Sequence, residues 1–279
     1  RLPTLRNQAR WVKSQLGENG LGLAKLTGLP KDETLLGVAS LTLGMLIGEI
    51  IDPYGRLYPV YDRGGCYRTQ SIPVSQTREP IAFHTDSARR DMIPDVLSLT
   101  CVRDAEGGHT KLSSMANIYL NMLQDVPHYF TALHASYVRA IVTPGTSRTK
   151  EALEGNHFPI FSLSDTQQKI TFRYMRYWIE EGQRLLGKDL EASAVNALNW
   201  LDTTLNDPQH HHEQHLRPGE ILWIDNRDIA HARTPYHEGP HANRLFYRMW
   251  LKVERHSESD VLNRGISIPS ASRATVSLP

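Results

Sequence analysis

The sequence predicts an α+β protein with helices flanking an all-β centre, for which a double-sheet jelly roll is one arrangement. Three observations lead there. Helix-period apolar spacing is confined to a few early and mid-chain stretches, near residues 4–17, 32–50, 113–125 and 172–207. Short β-type segments punctuated by Gly and Pro fill residues 54–112 and return after residue 218. No stretch has the composition of a linker, so residues 1–279 read as a single domain, with a core over about 20–253.

The elements follow in order. Leu5, Ala9, Trp11, Val12 and Leu16 stand near helical spacing, and Gly17 stops that helix. LGLAKLTGL, residues 21–29, reads as a strand closed by Pro30. Asp32 and Glu33 suit the positive end of a second helix, which runs to about Ile50 and stops at Asp52-Pro53. RLYPVY (56–61), GCYRTQSIPV (65–74), IAFHT (81–85) and VLSLTCV (96–102) read as strands, and SMANIYLNMLQD (114–125) as a helix. Several short strands are expected between His134 and Ile170. FRYMRYWIEEGQRLL contains the start of another helix, and SAVNALNWLDTTLND is an amphipathic one. GEILWID, IAHART and NRLFYRMWLKVE return to strands, and a Ser-rich tail over 257–279 is expected to fray.

Composition narrows the function. A chain that is 40% hydrophobic and 22% charged belongs with soluble globular proteins. Its 31 basic and 30 acidic residues form no block of one sign, which argues against nucleic acid as a partner. Two cysteines, Cys66 and Cys101, cannot build a disulfide framework and fit a reducing compartment. No run approaches the roughly 18 apolar residues that span a bilayer. A cytoplasmic protein with a small-molecule partner and no membrane partner is expected. The apolar early helix could pack on the β core or on a second copy of the chain, so a homo-oligomer stays open.

The chemistry begins at Phe83-His84-Thr85-Asp86, at the end of a strand. Residues i and i+2 of an extended segment point to one side, so His84 and Asp86 can converge on one point. Two histidines and one carboxylate form the facial triad of non-haem Fe(II) oxygenases. The third ligand can come from His231, just beyond the Asp225-Asn226 turn, although an ordinary strand histidine would also fit. Arg244 and Arg248 then share one face of an otherwise apolar strand. A buried guanidinium needs an anion, either an internal carboxylate or a ligand, and arginine binds carboxylates in bidentate fashion.

Taken together, HTD at 84–86, GGHT at 107–110, DNRDIAHART at 225–234 and the Arg244/Arg248 strand resemble the TauD/TfdA group of 2-oxoglutarate-dependent dioxygenases. IAFHTDSARRDMIPDVLSLTCVRDAEGG and HARTPY resemble its clavaminate synthase-like branch in particular. The resemblance covers about Gly20 to Val253. It implies a double-stranded β-helix, or jelly-roll, core of the cupin type with helices outside. It implies Fe(II) held by His84, Asp86 and His231, with 2-oxoglutarate and O2 as co-substrates. Arg244 would grip the distal carboxylate of 2-oxoglutarate, Thr110 would add a hydrogen bond, and Arg248 would sit at the primary substrate. The branch acts largely on amino acids and their derivatives, and hydroxylation with release of succinate and CO2 is the expected outcome. The acidic ligand is Asp86 where that branch often has Glu. Related halogenases have a small residue there, so the retained acid favours oxygenation.

Several other residues invite a role. Arg68, Ser75 and Arg173 are candidate substrate contacts, with surface or core roles as the alternative. His210, His211 and His212, with Glu213 and His215, read as an exposed loop rather than a metal cluster. His109 should point away from Thr110. The same site could instead perform desaturation, cyclisation or C–heteroatom cleavage. A non-catalytic cupin-like metal-binding module would need neither Arg244 nor Thr110, and a zinc hydrolase would need a general base that no HExxH motif supplies.

Overall fold

The computed structural model describes residues 2–17, 19–51, 53, 55–66, 73–87, 89–141, 149–163, 170–237 and 243–253. Helix α1 (Leu2–Leu16) leads to β1 (Leu23–Leu26), α2 (Glu33–Ile47), β2 (Glu49–Ile51), β3 (Tyr58–Val60), β4 (Ile81–His84), β5 (Val96–Arg103), β6 (Glu106–Gly107) and β7 (Thr110–Ser114). The middle holds α3 (Met115–Asp125), α4 (Phe130–His134), β8 (Ser136–Val138), α5 (Lys150–Gly155), β9 (His157–Pro159), β10 (Phe161–Leu163), β11 (Ile170–Phe172), α6 (Arg176–Leu185) and α7 (Ala192–Asn206). The last strands are β12 (His212–Gln214), β13 (Glu220–Asp225), β14 (Ile229–Arg233), β15 (Tyr236–His237) and β16 (Leu245–Lys252). None of the described helices is long and apolar enough to cross a membrane.

Two antiparallel sheets form the centre, as expected of a jelly roll. The larger runs β1-β13-β5-β16-β2, with β3 also paired to β16. The smaller runs β12-β7-β14-β4. Strand alternation sorts the side chains into layers. On β13, Ile221 and Trp223 pack under α1 and α2 against Ala9, Val12, Leu16, Leu43 and Ile47. Leu222 and Ile224 face the other way, into the space between the sheets, with Leu97, Leu112, Ile229, Phe246 and Trp250. On β14, Ala230 and Ala232 turn outward beneath α3 and α7, in a cluster with Phe83, Ile118, Met122, Leu198 and Leu201. Their neighbours His231 and Arg233 are thereby aimed between the sheets.

Local chemistry explains where the elements start and stop. Asp32 caps α2 by accepting the Leu35 N–H at 2.9 Å. That helix ends at Ile47, earlier than the expected Ile50. Gly48 takes extended backbone, and Glu49–Ile51 pair with Lys252–Trp250 instead. A Cβ at Gly48 would lie 2.4 Å from the Lys252 carbonyl oxygen, so the chain can only change structure there on glycine. Trp11, grouped with the inward residues of α1 from its spacing, is 46% exposed. Within the expected strand 65–74, residues 67–72 lie outside the described residues, as does the tail, and Val74–Gln76 form a 3-10 turn. Helix α5 was not foreseen; the Thr149 side chain caps it by accepting the Ala152 N–H at 3.3 Å. His212–Gln214, expected as loop, pair with Leu112–Thr110 as an edge strand. Cys101 is buried and Cys66 half-buried, neither of them in a disulfide, and burial pushes the Cys101 thiol up to about 12.

Gly182 shows how closely α6 lies on β8. A Cβ there would meet the Val138 carbonyl oxygen at 2.5 Å and the Ala140 nitrogen at 2.9 Å, both rigid backbone. Gly155, at the end of α5, has nothing within 4 Å. Gly182→Ala is expected to lower unfolding stability by about 1–3 kcal/mol. Gly155→Ala should leave it unchanged or raise it by up to about 1 kcal/mol. Urea denaturation of the two variants side by side checks both signs.

Candidate active site

His84, Asp86 and His231 meet between the sheets. His84 is the last residue of β4, and His231 sits opposite it in the register of β14. The two imidazole centroids are 4.2 Å apart. Asp86 Oδ1 lies 3.5 Å from His84 Nε2 and 3.6 Å from His231 Nε2. All three residues are buried, and one ligand atom from each lies within 4.8 Å of the others. His84 Nδ1 donates to the Ala82 carbonyl at 2.9 Å, which leaves Nε2 as a free lone-pair donor aimed at Asp86. His231 Nδ1 has no partner. Two imidazole nitrogens and one carboxylate oxygen converging in a buried space are the donor set of a first-row divalent ion such as Fe(II), and the residues fit it.

The loop carrying Asp86 is pinned by its backbone. The Asp86 N–H donates to Asn226 Oδ1 at 2.7 Å. Asn226 Nδ2 donates to the carbonyls of Asp86 at 3.1 Å and Pro94 at 3.0 Å. The Thr85 N–H reaches the Tyr174 carbonyl at 2.8 Å, and the Tyr174 N–H reaches Thr85 Oγ1 at 3.1 Å. Ser87 follows at φ 74°, a left-handed conformation uncommon for a residue with a Cβ, and turns the chain away.

The two carboxylate oxygens of Asp86 do different things. Oδ1 faces the imidazoles. Oδ2 accepts the Trp250 indole N–H at 2.6 Å and pairs with Arg248 Nη1 at 3.2 Å. Burial opposes ionisation of this carboxyl. The Arg248 cation and the two facing imidazoles, His231 and His84, outweigh it and hold the group well below the usual carboxylate range. Burial, aided by the neighbouring His84, pushes His231 down to about 4. Both favour ligand-competent states near neutral pH.

A cavity opens beside the triad, walled by Val60, Ile81, Leu99 and Phe246 and reached by the side chains of Arg244 and Thr110. Arg244 is 4% exposed. Its guanidinium carbon lies 3.9 Å from the Phe246 ring centre and 4.9 Å from that of Tyr236. Gly108 makes room for it, because a Cβ there would stand 3.1 Å from Arg244 Nε. At φ 65° the position also suits glycine. Nη1 of Arg244 has no hydrogen-bond partner. A buried, unpaired cationic donor beside a cavity marks a place for an anion.

Other sequence candidates divide. Ser75 lines the cavity. Arg248 lines it too, between Tyr58 and Trp250, with guanidinium-to-ring distances of 4.9 and 4.8 Å. Arg173, expected as a substrate contact, does something else. Its Nη1 donates to the carbonyls of Phe172 at 3.1 Å and Asn226 at 2.9 Å, bracing the β13–β14 turn. It is not among the cavity-lining residues. Arg68 lies outside the described residues. His109 does turn away, bonding Glu213 Oε1 at 2.7 Å. Sequence reasoning missed Trp250, Asn226 and Arg233. Trp250 and Arg233 each stand two residues from a recognised site residue on the same strand, which was the available signal.

Comparison with known proteins agrees with this geometry. The profile of the family described as "Taurine catabolism dioxygenase TauD, TfdA family" matches residues 2–250. FR-33289 synthase of Streptomyces rubellomurinus (strain ATCC 31215) is 26% identical over 257 residues, 85% of this chain and 70% of its own length. Uridine-5'-phosphate dioxygenase of an Amycolatopsis species is 26% identical over 235 residues, 76% of this chain and 78% of its own. Among solved structures, asparagine oxygenase in complex with Fe(II), 2S,3S-3-hydroxyasparagine and succinate superposes with a TM-score of 0.67 at 21% identity, over 89% of this chain and 79% of that one. The non-heme iron oxygenase OrfP, in complex with Fe and alpha-ketoglutaric acid, gives 0.64 at 13% identity, over 90% and 80%. These structural likenesses extend the jelly-roll core with flanking helices to this chain.

His84→Ala and His231→Ala are each expected to abolish stoichiometric binding of a divalent metal. Trp250→Phe, which keeps the ring and removes the donor to Asp86, should weaken metal affinity by about 10–100-fold. Competition against a chromophoric chelator reads both, with circular dichroism checking that the fold is kept.

Proposed function

Because the chain belongs to the taurine catabolism dioxygenase TauD, TfdA family, we propose that this Fe(II)- and 2-oxoglutarate-dependent oxygenase hydroxylates a C–H bond of a free amino acid or a small amino-acid derivative. The observation that carries the co-substrate assignment is the unpaired Nη1 of buried Arg244, in the same cavity as the His84–Asp86–His231 group.

The residues divide the work. His84 Nε2, Asp86 Oδ1 and His231 Nε2 would hold Fe(II). Bound there with 2-oxoglutarate, the metal supplies the oxidising chemistry, in which O2 is consumed and 2-oxoglutarate becomes succinate and CO2. Arg244 meets the distal carboxylate of 2-oxoglutarate with a charge-assisted pair, and Thr110, buried on β7, is placed to add a neutral hydrogen bond. Trp250 fixes the second oxygen of Asp86, which leaves Oδ1 as the ligand atom. Val60, Ile81, Leu99 and Phe246 keep the wall apolar, so the reacting C–H bond sits away from bulk water. The retained carboxylate at Asp86 supports oxygen insertion over halogenation, as set out above.

Arg248 supports the amino-acid assignment. It faces the cavity as a cation and can turn part of its guanidinium to a substrate carboxylate while remaining close to Asp86. Structural neighbours in complex with 2S,3S-3-hydroxyasparagine and with (3R,4R)-dihydroxy-L-Arg agree with such a substrate. A uridine-5'-phosphate dioxygenase among the relatives offers a phosphorylated alternative for the same cation.

Incubation with Fe(II), ascorbate, 2-oxoglutarate and a panel of L-amino acids should release succinate with one of them and give a product heavier by one oxygen atom. A product lighter by two hydrogens would replace hydroxylation with desaturation, and turnover of phosphorylated nucleosides alone would overturn the amino-acid reading. Arg244→Ala should raise the KM for 2-oxoglutarate at least about tenfold, corresponding to ~1.5–3 kcal/mol for one lost charge-assisted pair. An unchanged KM in steady-state assays would remove Arg244 from the co-substrate site.

A further inference from the structure

Arg233 stands two residues beyond His231 on β14 and is 7% exposed. Its Nη2 donates to the carbonyls of Thr77 and Glu79, the latter at 2.6 Å. Its Nη1 and Nε are buried with no hydrogen-bond partner. Neither Arg233 nor Arg244 has a carboxylate partner among the described residues, yet the two guanidinium groups lie at the same aromatic ring, each 4.9 Å from the centre of Tyr236. Thr110, across the ladder from Arg233 in the β7–β14 register, lines the same cavity as both arginines. Three donor nitrogens without a hydrogen-bond partner, on two like-charged side chains, are therefore gathered in the wall of the cavity that also holds the triad. Two buried cations so placed repel one another, and an anion between them would offset that repulsion and meet the empty donors together.

We propose that Arg233 is a second anion-binding residue of this pocket, sharing the distal carboxylate of 2-oxoglutarate with Arg244 and so selecting a dicarboxylic 2-oxo acid over a monocarboxylic one. The proposal rests on the 2-oxoglutarate reading above and adds to it a residue and a selectivity. Nη2 keeps Arg233 in place through the two carbonyls, and Nη1 and Nε are the donors left for the ligand. Arg244 alone could bind the carboxylate in bidentate fashion. The pair together makes the loss of that carboxylate more costly, because two desolvated guanidinium groups are then left without an anion.

The test is calorimetric titration of the anaerobic Fe(II)-loaded full chain with 2-oxoglutarate and with 2-oxobutyrate, which keeps the oxo-acid end and lacks the distal carboxylate. Arg233→Met is expected to raise the Kd for 2-oxoglutarate about tenfold or more and to leave that for 2-oxobutyrate within about twofold. Arg233→Lys, which keeps a cation able to reach the Glu79 carbonyl, should recover part of the discrimination. A merely structural Arg233 would weaken both oxo acids alike, and that result overturns the proposal. If Arg233→Met does not fold, the Nε–H resonance of Arg233 in ¹⁵N-labelled wild type, identified by its absence from the Lys variant, decides. It should move on addition of 2-oxoglutarate and stay put with 2-oxobutyrate, and an unmoved resonance overturns the proposal. Failure at Arg233 while Arg244→Ala still loses 2-oxoglutarate confines the error to Arg233. A wild-type protein that does not distinguish the two oxo acids overturns the co-substrate reading and this proposal with it.

Discussion

The burial of one carboxylate constrains most of this structure. Asp86 is 4% exposed and ionised, and an isolated charge in such a place would be expelled or neutralised. It is kept by four side chains from three strands: His84 from β4, His231 from β14, and Arg248 and Trp250 from β16. Those strands belong to both sheets, so the polar cluster also fixes how the sheets face each other. The backbone around Asp86 is held separately, through Asn226 and Tyr174. The histidines that face Asp86 Oδ1 are the groups a metal ion would engage, so fold and site share one set of contacts.

Strand alternation supplies the rest. β14 and β16 each carry two jobs on alternate residues. On β14, Ala230 and Ala232 let α3 and α7 approach closely, while His231 and Arg233 face the cavity. On β16, Met249 and Leu251 pack beneath α1 and α2, while Phe246, Arg248 and Trp250 face inward. A one-residue slip in either strand would carry every cavity residue to a helix-facing layer. The irregular registers at Leu245/Phe246 and His231/Arg233 show where the regular period is adjusted beside the site.

Much of this was legible in the sequence, because it depends on short-range periods. The helices α1, α3 and α7, the strands β1, β3, β4, β5, β13, β14 and β16 and the convergence of His84 with Asp86 follow from spacing two or near four. What was not legible depends on contacts distant in sequence. Gly48 ends α2 because Lys252 passes over it, and nothing local reports that. The hydrophilic run at 212–214 becomes a strand only because β7 offers an edge. Arg173 looked available for a ligand, but its partners are carbonyls, one of them 53 residues away, that carry no sequence signature. Trp250 read as core, and only the three-dimensional arrangement places its indole nitrogen on Asp86.

Strand β12 also bears on how an open sheet edge is made a poor template for a further strand. It closes one side of the smaller sheet, and an open sheet edge is a template on which another strand can add. Here the edge is three residues long, and its outward side chains His212 and Glu213 are exposed. Glu213 is further engaged by His109 and by Lys111, 3.7 Å away. A second strand arriving at this edge would have to displace ion pairs over a very short ladder for few new hydrogen bonds. The short, charged stretch His212–Gln214 thus offers little purchase for edge-to-edge pairing on the smaller sheet.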